Sequence, residues 1–255
     1  MIGIFDSGSG GLTFLAAMRA RCPKYSYIYF GDYDNCPYGA KSPEEIQTFT
    51  TAGVQKLFDA GATIVILACN TASAWTLRKL QTEVFPDKRI LGVTIPGAEK
   101  VIELGLKKVT VFATQQTVNS RTYRDRVGIL DESVEIEEIA LSGYLVKEIE
   151  SLLPVQKCHS QEDFQKILQF YNEGEWNCVS DDWENLIQKY FSQYHPKEGI
   201  VLGCTHYPYL QRHLQKLFPV CKIIDPSEES AVALERYIER HKLSLSQTGK
   251  LIFTS

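Results

Sequence analysis

The chain has 255 residues, 44% of them hydrophobic and 23% charged, with a net charge of −4, values of a globular protein long enough to bury a sizeable core. A pI near 5.8 and the lack of any Lys/Arg run argue against nucleic-acid or membrane-surface partners, and no apolar stretch reaches the ~18 residues of a membrane span. The start MIGIFDSG carries no basic segment ahead of its short apolar run, so it does not read as a signal peptide and the expected location is cytoplasmic.

From the N-terminus onward, short apolar runs at 2–5, 25–30, 63–68, 90–93, 109–113, 134–139, 200–203 and 222–224 alternate with longer amphipathic segments such as 43–60 and 72–85. Continuous apolar strands alternating with helices predict an α/β fold with mostly parallel sheets covered by helices on both faces. The unusual chemistry falls where strands hand over to helices. FDSGSGG follows the first strand, GDYDNCPYG the second, ILACNTAS spans the end of the third, and TIPGA follows the fourth. Further on come ATQQTVNS and VLGCTHYP. In open α/β sheets ligands bind beyond the carboxyl ends of strands, so these loops predict one composite site.

Turn chemistry alone suggests a domain change near TIPGA and a return near 210. The expected domains are 1–94 plus 210–255, and 95–209. Within the second, Ser160-x-x-Asp163 resembles a capping box ahead of Phe164, Ile167, Leu168 and Tyr171 on one helical face. Trp183, Leu186, Ile187, Tyr190, Phe191 and Tyr194 repeat the pattern, with a turn at 172–177 between them. The result is a helical hairpin near 160–194, read as a packing insertion or as an element covering the site or a subunit contact.

The seven cysteines (Cys22, Cys36, Cys69, Cys158, Cys178, Cys204 and Cys221) are odd in number and include no CxxC pair. A disulfide framework or structural zinc knuckle is not indicated. The loop Asp6-Ser7-Gly8-Ser9-Gly10-Gly11 matches neither GxGxxG nor GxxxxGK[ST], and its aspartate would repel phosphate. It reads as a tight capped turn, or as a turn whose amides hold a smaller anion such as a carboxylate. Zinc held by Cys69, Cys204 and His206 is not demanded by their spacing. A Cys–His hydrolase using Cys204 and His206 leaves Cys69 without a role.

Paired cysteines at matching strand ends suit another task, which is moving one proton across a carbon centre. Racemisation needs a base on one face and an acid on the other, and a thiol with an ordinary pKa of roughly 8.5 can serve as either. Asp6 and His206 are then candidate proton partners of the thiols.

Taken in order, FDSGSGG, the GD…PYG of 31–39, ACNTAS, the ATxxTVxSxxY of 113–123 and LGCTHYP resemble the glutamate racemases of the cofactor-independent aspartate/glutamate racemase superfamily. The resemblance implies two similar α/β domains with the active site in the cleft between them. It implies racemisation of glutamate, giving the D-isomer for peptidoglycan, without pyridoxal phosphate, metal or nucleotide, and it allows a homodimer. Carried over by position, Cys69 and Cys204 match the thiols flanking Cα, with Asp6 beside the first and His206 beside the second. Ser7, Tyr38, Gly39, Asn70, Thr71, Thr114, Thr117 and Thr205 fall on substrate-binding motifs. These motifs contain no Arg, so hydroxyls, amides and helix N-termini would hold the carboxylates. A further carboxylate matches Glu150 in LVKEIES, with Glu148 as the competing choice.

Several positions depart from the pattern. Tyr33-Asp34-Asn35 stands where Thr-Ala-Arg is usual, Lys147 replaces a usual proline, and the Glu150–Cys204 connection is long. An aspartate or broad-specificity racemase, a one-sided relative such as a decarboxylase, and a non-catalytic regulatory binding protein stay open as alternatives. Such one-sided relatives tend to keep a single thiol, whereas both are present here.

Overall fold

The computed structural model describes residues 1–173 and 181–254. The first sheet carries strands β1 (Ile2–Asp6), β2 (Tyr27–Gly31), β3 (Ile64–Leu67), β4 (Arg89–Gly92) and β9 (Leu251–Thr254), in the order β4-β3-β1-β2-β9. The second carries β5 (Lys108–Thr114), β6 (Glu135–Leu141), β7 (Gly199–Gly203) and β8 (Lys222–Ile224), in the order β6-β5-β7-β8. Every pairing is parallel. The chain therefore has the expected α/β class, with two parallel sheets flanked by helices.

Strands β1, β2, β3 and β7 are buried at every residue, which is why they read as unbroken apolar runs rather than as alternating ones. The edge strand β6 instead carries Glu135, Glu137 and Glu138 among partly buried residues, charges that discourage pairing with a further strand. Helix α1 (Gly11–Arg21) follows β1, and α2 (Pro43–Asp59) opens on a Ser42/Glu45 capping box with Pro43 in its first turn. Helix α3 (Asn70–Lys79) starts directly after Cys69 and ends in a wider turn at Leu80–Val84, so the segment expected as one helix over 72–85 is divided.

In the stretch expected to return to the first domain at 210, β8 pairs with β7 in the second sheet, the helix at Pro226–Arg240 packs on α1, and β9 pairs with β2 in the first sheet. The short β9 was not anticipated, because a four-residue run carries little periodic signal.

Helices α8 (Gln161–Glu173) and α9 (Asp181–Phe191) form where the two arms of the hairpin are expected. Ser160 Oγ accepts from the Asp163 N–H at 3.1 Å and donates to the Asp163 carboxylate at 2.8 Å, capping α8. Residues 172 and 173 continue α8, and the remainder of the expected turn lies outside the described residues. Phe164 packs on Phe253 of β9, while Phe191 meets Phe112 of β5 edge-on at 5.1 Å. The two arms thus fill the core against both sheets, and one buried apolar cluster runs from Ile4 and Tyr29 to Phe112 and Leu202. Among the described residues no helix is long and apolar enough to cross a membrane.

Candidate active site

The carboxyl ends of β1 and β3 place Asp6 and Cys69 side by side in the first sheet. Asp6 is fully buried. Its Oδ2 accepts from the Gly8 N–H at 2.9 Å and its Oδ1 from the Thr205 hydroxyl at 3.2 Å. Burial pushes this carboxyl up to about 6, against the downward pull of His206 and of hydrogen bonds from Gly8, Gly11 and Thr205. Cys69 caps α3, with Sγ accepting from the Ala72 N–H at 3.4 Å. A helix N-terminus favours a thiolate. Here burial, reinforced by the charge of Asp6, wins over hydrogen bonds from Ser7 and Ala72 and drives the thiol up to about 12.

The second thiol stands at the end of β7. Cys204 Sγ lies 3.8 Å from His206 Nδ1, and His206 Nε2 lies 3.0 Å from Glu150 Oε1. Glu150 sits on helix α7 (Gly143–Leu152) and also accepts from the Ser9 hydroxyl at 2.9 Å. Burial alone would lower the imidazole's pKa, but hydrogen bonds and charge from Cys204 and Glu150 hold it well above the usual value. Burial likewise works against ionisation of Glu150, and His206 and Ser9 outweigh it to bring the carboxyl down to about 2. An ionised carboxylate only accepts, so Nε2 carries the proton in this pair.

The same helix settles where the competing carboxylate goes. Glu148 points to α9, accepting from Lys189 Nζ at 2.7 Å and from the Tyr190 hydroxyl at 2.9 Å. The two positions are two residues apart, which on a helix turns them to different faces.

The glycines after β1 let these groups converge. A Cβ on Gly10 would collide with Thr205 Oγ1 and lie 2.7 Å from His206 Nδ1. One on Gly8 would lie 2.8 Å from Cys36 Sγ and 2.9 Å from Glu150 Oε1. FDSGSGG is therefore a close-approach turn, packed on the thiol–imidazole loop from the other sheet.

A third group is made of hydroxyls. Thr71 Oγ1 at the start of α3 is 2.8 Å from Thr114 Oγ1 and 3.1 Å from Thr117 Oγ1, and the last two are 3.1 Å apart. Thr114 caps helix α5 (Gln115–Ser120), so this triangle joins the two sheets across the cleft. Gly39 lies in the turn Tyr38–Ala40, packed against Thr114. Tyr38 and Asn70 face other partners. The Tyr38 hydroxyl donates to Asp32 at 2.6 Å, and Asn70 Oδ1 accepts from Tyr123 at 2.6 Å.

Ser9, Asp32 and Cys36 belong to this neighbourhood and were not among the expected site residues. Ser9, Asp32 and Cys36 all sit inside quoted motifs, so their position was the available signal. Cys36 read as an isolated cysteine because only the fold brings it to Glu150.

The cluster thus offers thiols from two sheets, with Cys204 close enough to bear on the ionisation of Cys69, a buried carboxyl on one side and an ion-paired imidazole on the other. It suits proton transfer. Among the described residues, no three His, Cys, Asp or Glu side chains are grouped so as to hold a metal ion.

Residues 10–234 match the family model described as Asp/Glu/Hydantoin racemase. The chain is 34% identical to a glutamate racemase of Roseobacter denitrificans, over 99% of this chain and 90% of that protein. It is 36% identical to a glutamate racemase of Paracoccus denitrificans, over 94% and 85%. The crystal structure of glutamate racemase from Francisella tularensis in complex with D-glutamate superposes with a TM-score of 0.79 at 29% identity, covering 99% of this chain and 86% of that one. By these matches the chain belongs to the Asp/Glu/Hydantoin racemase family.

Proposed function

We propose that this protein is a glutamate racemase that interconverts L- and D-glutamate by passing a proton between Cys69 and Cys204 on opposite faces of Cα. One observation carries the reading. The carboxyl ends of β3 and β7, from different sheets, bring both thiols to one buried cluster, linked by Asp6, Thr205, His206 and Glu150. The names and bound D-glutamate of the matched relatives supply the substrate.

In this reading one cysteine, as thiolate, takes the Cα proton while the other, as thiol, delivers one from the opposite side. The bond to hydrogen breaks on one face and forms on the other, so each turnover leaves the pair with exchanged protonation states. The imidazolium of His206 stands beside Cys204 as counter-ion. Asp6, raised toward the working pH, accepts or returns a proton near Cys69.

Magnitudes show where the difficulty lies. With its thiol pushed up to about 12, ionising Cys69 at pH 7 costs about 7 kcal/mol. A turnover near 10 per second corresponds to a barrier of about 16 kcal/mol. Nearly half would go to forming the thiolate, and the α-ammonium of a bound amino acid offsets that cost by adding positive charge to an anionic pocket. Thr71, Thr114 and Thr117 turn their hydroxyls to a carboxylate, since a hydroxyl rotates to suit its partner. Ser7, Tyr38, Gly39, Asn70 and Thr205 line or brace the same cleft.

The reading places the enzyme in the cytoplasm, supplying D-glutamate for peptidoglycan, and keeps two domains, with β8 assigned to the second. The test is a chiral assay of the purified protein with L-Glu, D-Glu, L-Asp and D-Asp. Conversion of both glutamate enantiomers, with aspartate slow, is expected. Conversion of aspartate alone, or of neither amino acid, would reject it.

A further inference from the structure

Cys36 is the cysteine near the site to which the proton-transfer scheme gives no task. It lies in the loop after β2, half-buried, beside a cavity of about 220 Å³ that is also lined by Tyr33, Lys147, Glu150 and Lys157. Its Sγ stands 3.8 Å from Glu150 Oε1 and 3.9 Å from Oε2, within reach of an S–H donor for both. Oε1 already accepts from His206 and from the Ser9 hydroxyl, so the thiol is the group that reaches Oε2. The Gly8 backbone packs against both Cys36 and Glu150 with no room for a Cβ, which fixes the distance between them.

From this arrangement we infer that Cys36 is a positioning residue for the proposed reaction, its thiol holding the Glu150 carboxylate so that Oε1 faces His206. Burial, with Glu150 and Asp6 nearby, drives the Cys36 thiol well above its usual value, so it stays protonated and remains a donor. Other titratable groups facing the pair are Lys147 and Lys157 across the cavity, and Asp6, Cys69 and Cys204 on the inner side. Losing the donor loosens the carboxylate. That weakens its support of the imidazolium and reaches Cys204 through His206.

This inference rests on the proposed racemase activity, and the experiment separates the two. Wild type is assayed first in both directions, and inactivity there would reject the racemase reading itself. Cys36→Ala removes the donor and Cys36→Ser keeps an O–H in its place; Cys36→Val, closer in volume, replaces the alanine variant if that fails to fold. The alanine variant should lose roughly three- to tenfold in kcat, the scale of one ordinary hydrogen bond, because an S–H is a weak donor even to a carboxylate, with KM little changed. Its alkaline limb should move to lower pH, and serine should restore part of both. kcat/KM falls equally in the two directions, because enantiomers are equal in free energy. A limb unmoved in the donor-free variant, or serine no better than alanine, would overturn the role.

Discussion

Glu150 stands 3.0 Å from the His206 imidazole, while Glu148, on the same helix, is turned away to Lys189. Helix α7 thus aims one carboxylate at the thiol loop and spends the other as a brace to α9. Glu150→Gln should lower kcat by roughly 100-fold, the lower end of what a proton-transfer partner contributes. Glu148→Gln should stay within a few-fold of wild type. Steady-state kinetics on the two variants checks this, and equal losses would contradict it.

The ion pair also predicts a pH dependence of stability. Glu150 is depressed from 4.5 to about 2, so its contribution is present above 4.5 and fades as pH falls toward 2. His206 is raised above 6.5, so its contribution is complete below 6.5 and is lost as pH climbs through the raised value. The Tm difference between wild type and Glu150→Gln should therefore be largest between 4.5 and 6.5 and shrink on either side. A difference flat from pH 3 to pH 9 would contradict the pairing.

Asp6 carries the opposite sign. Its folded value of about 6 lies above the ordinary 3.8, so native stability falls as pH rises through that window. Above it, holding the buried carboxylate ionised costs about 3 kcal/mol. Asp6→Asn should raise Tm at pH 7 and lose that advantage near pH 4, while racemisation drops steeply. A variant less stable at pH 7 than at pH 4, relative to wild type, would show that the carboxylate is not strained.

The sequence made the parallel α/β class and the chemistry at the strand ends readable, because a strand buried on both faces must be apolar until it reaches the loop. ILACNTAS and VLGCTHYP announced their thiols that way. What depends on distant pairing was hidden. β8 stays with the second sheet and β9 closes onto β2 through backbone hydrogen bonds that leave no mark on a three- or four-residue run. Only the turn of α7 separates Glu150 from Glu148. Cys36 looked like any small buried residue until the fold set it beside a carboxylate, and Tyr38 and Asn70 proved to be held by Asp32 and Tyr123.

The threonine triangle makes a separate claim about substrate holding. Thr71→Val keeps shape and removes the hydroxyl that meets Thr114 and Thr117. Loss of one hydrogen bond to a charged carboxylate, about 1.5–3 kcal/mol, predicts a fall in kcat/KM of roughly 10- to 100-fold. Unchanged kcat/KM would remove Thr71 from the binding set.

The central claim is that Cys69 and Cys204 serve opposite faces of one carbon, and hydrogen exchange at Cα in D₂O tests it most directly. Starting from L-glutamate at early times, the D-glutamate formed should carry deuterium at Cα while the remaining L-glutamate keeps protium, with the mirror result from D-glutamate. Cys69→Ala and Cys204→Ala should each abolish racemisation. Product that retains its original hydrogen, or either alanine variant racemising at a near-normal rate, would contradict the two-thiol account.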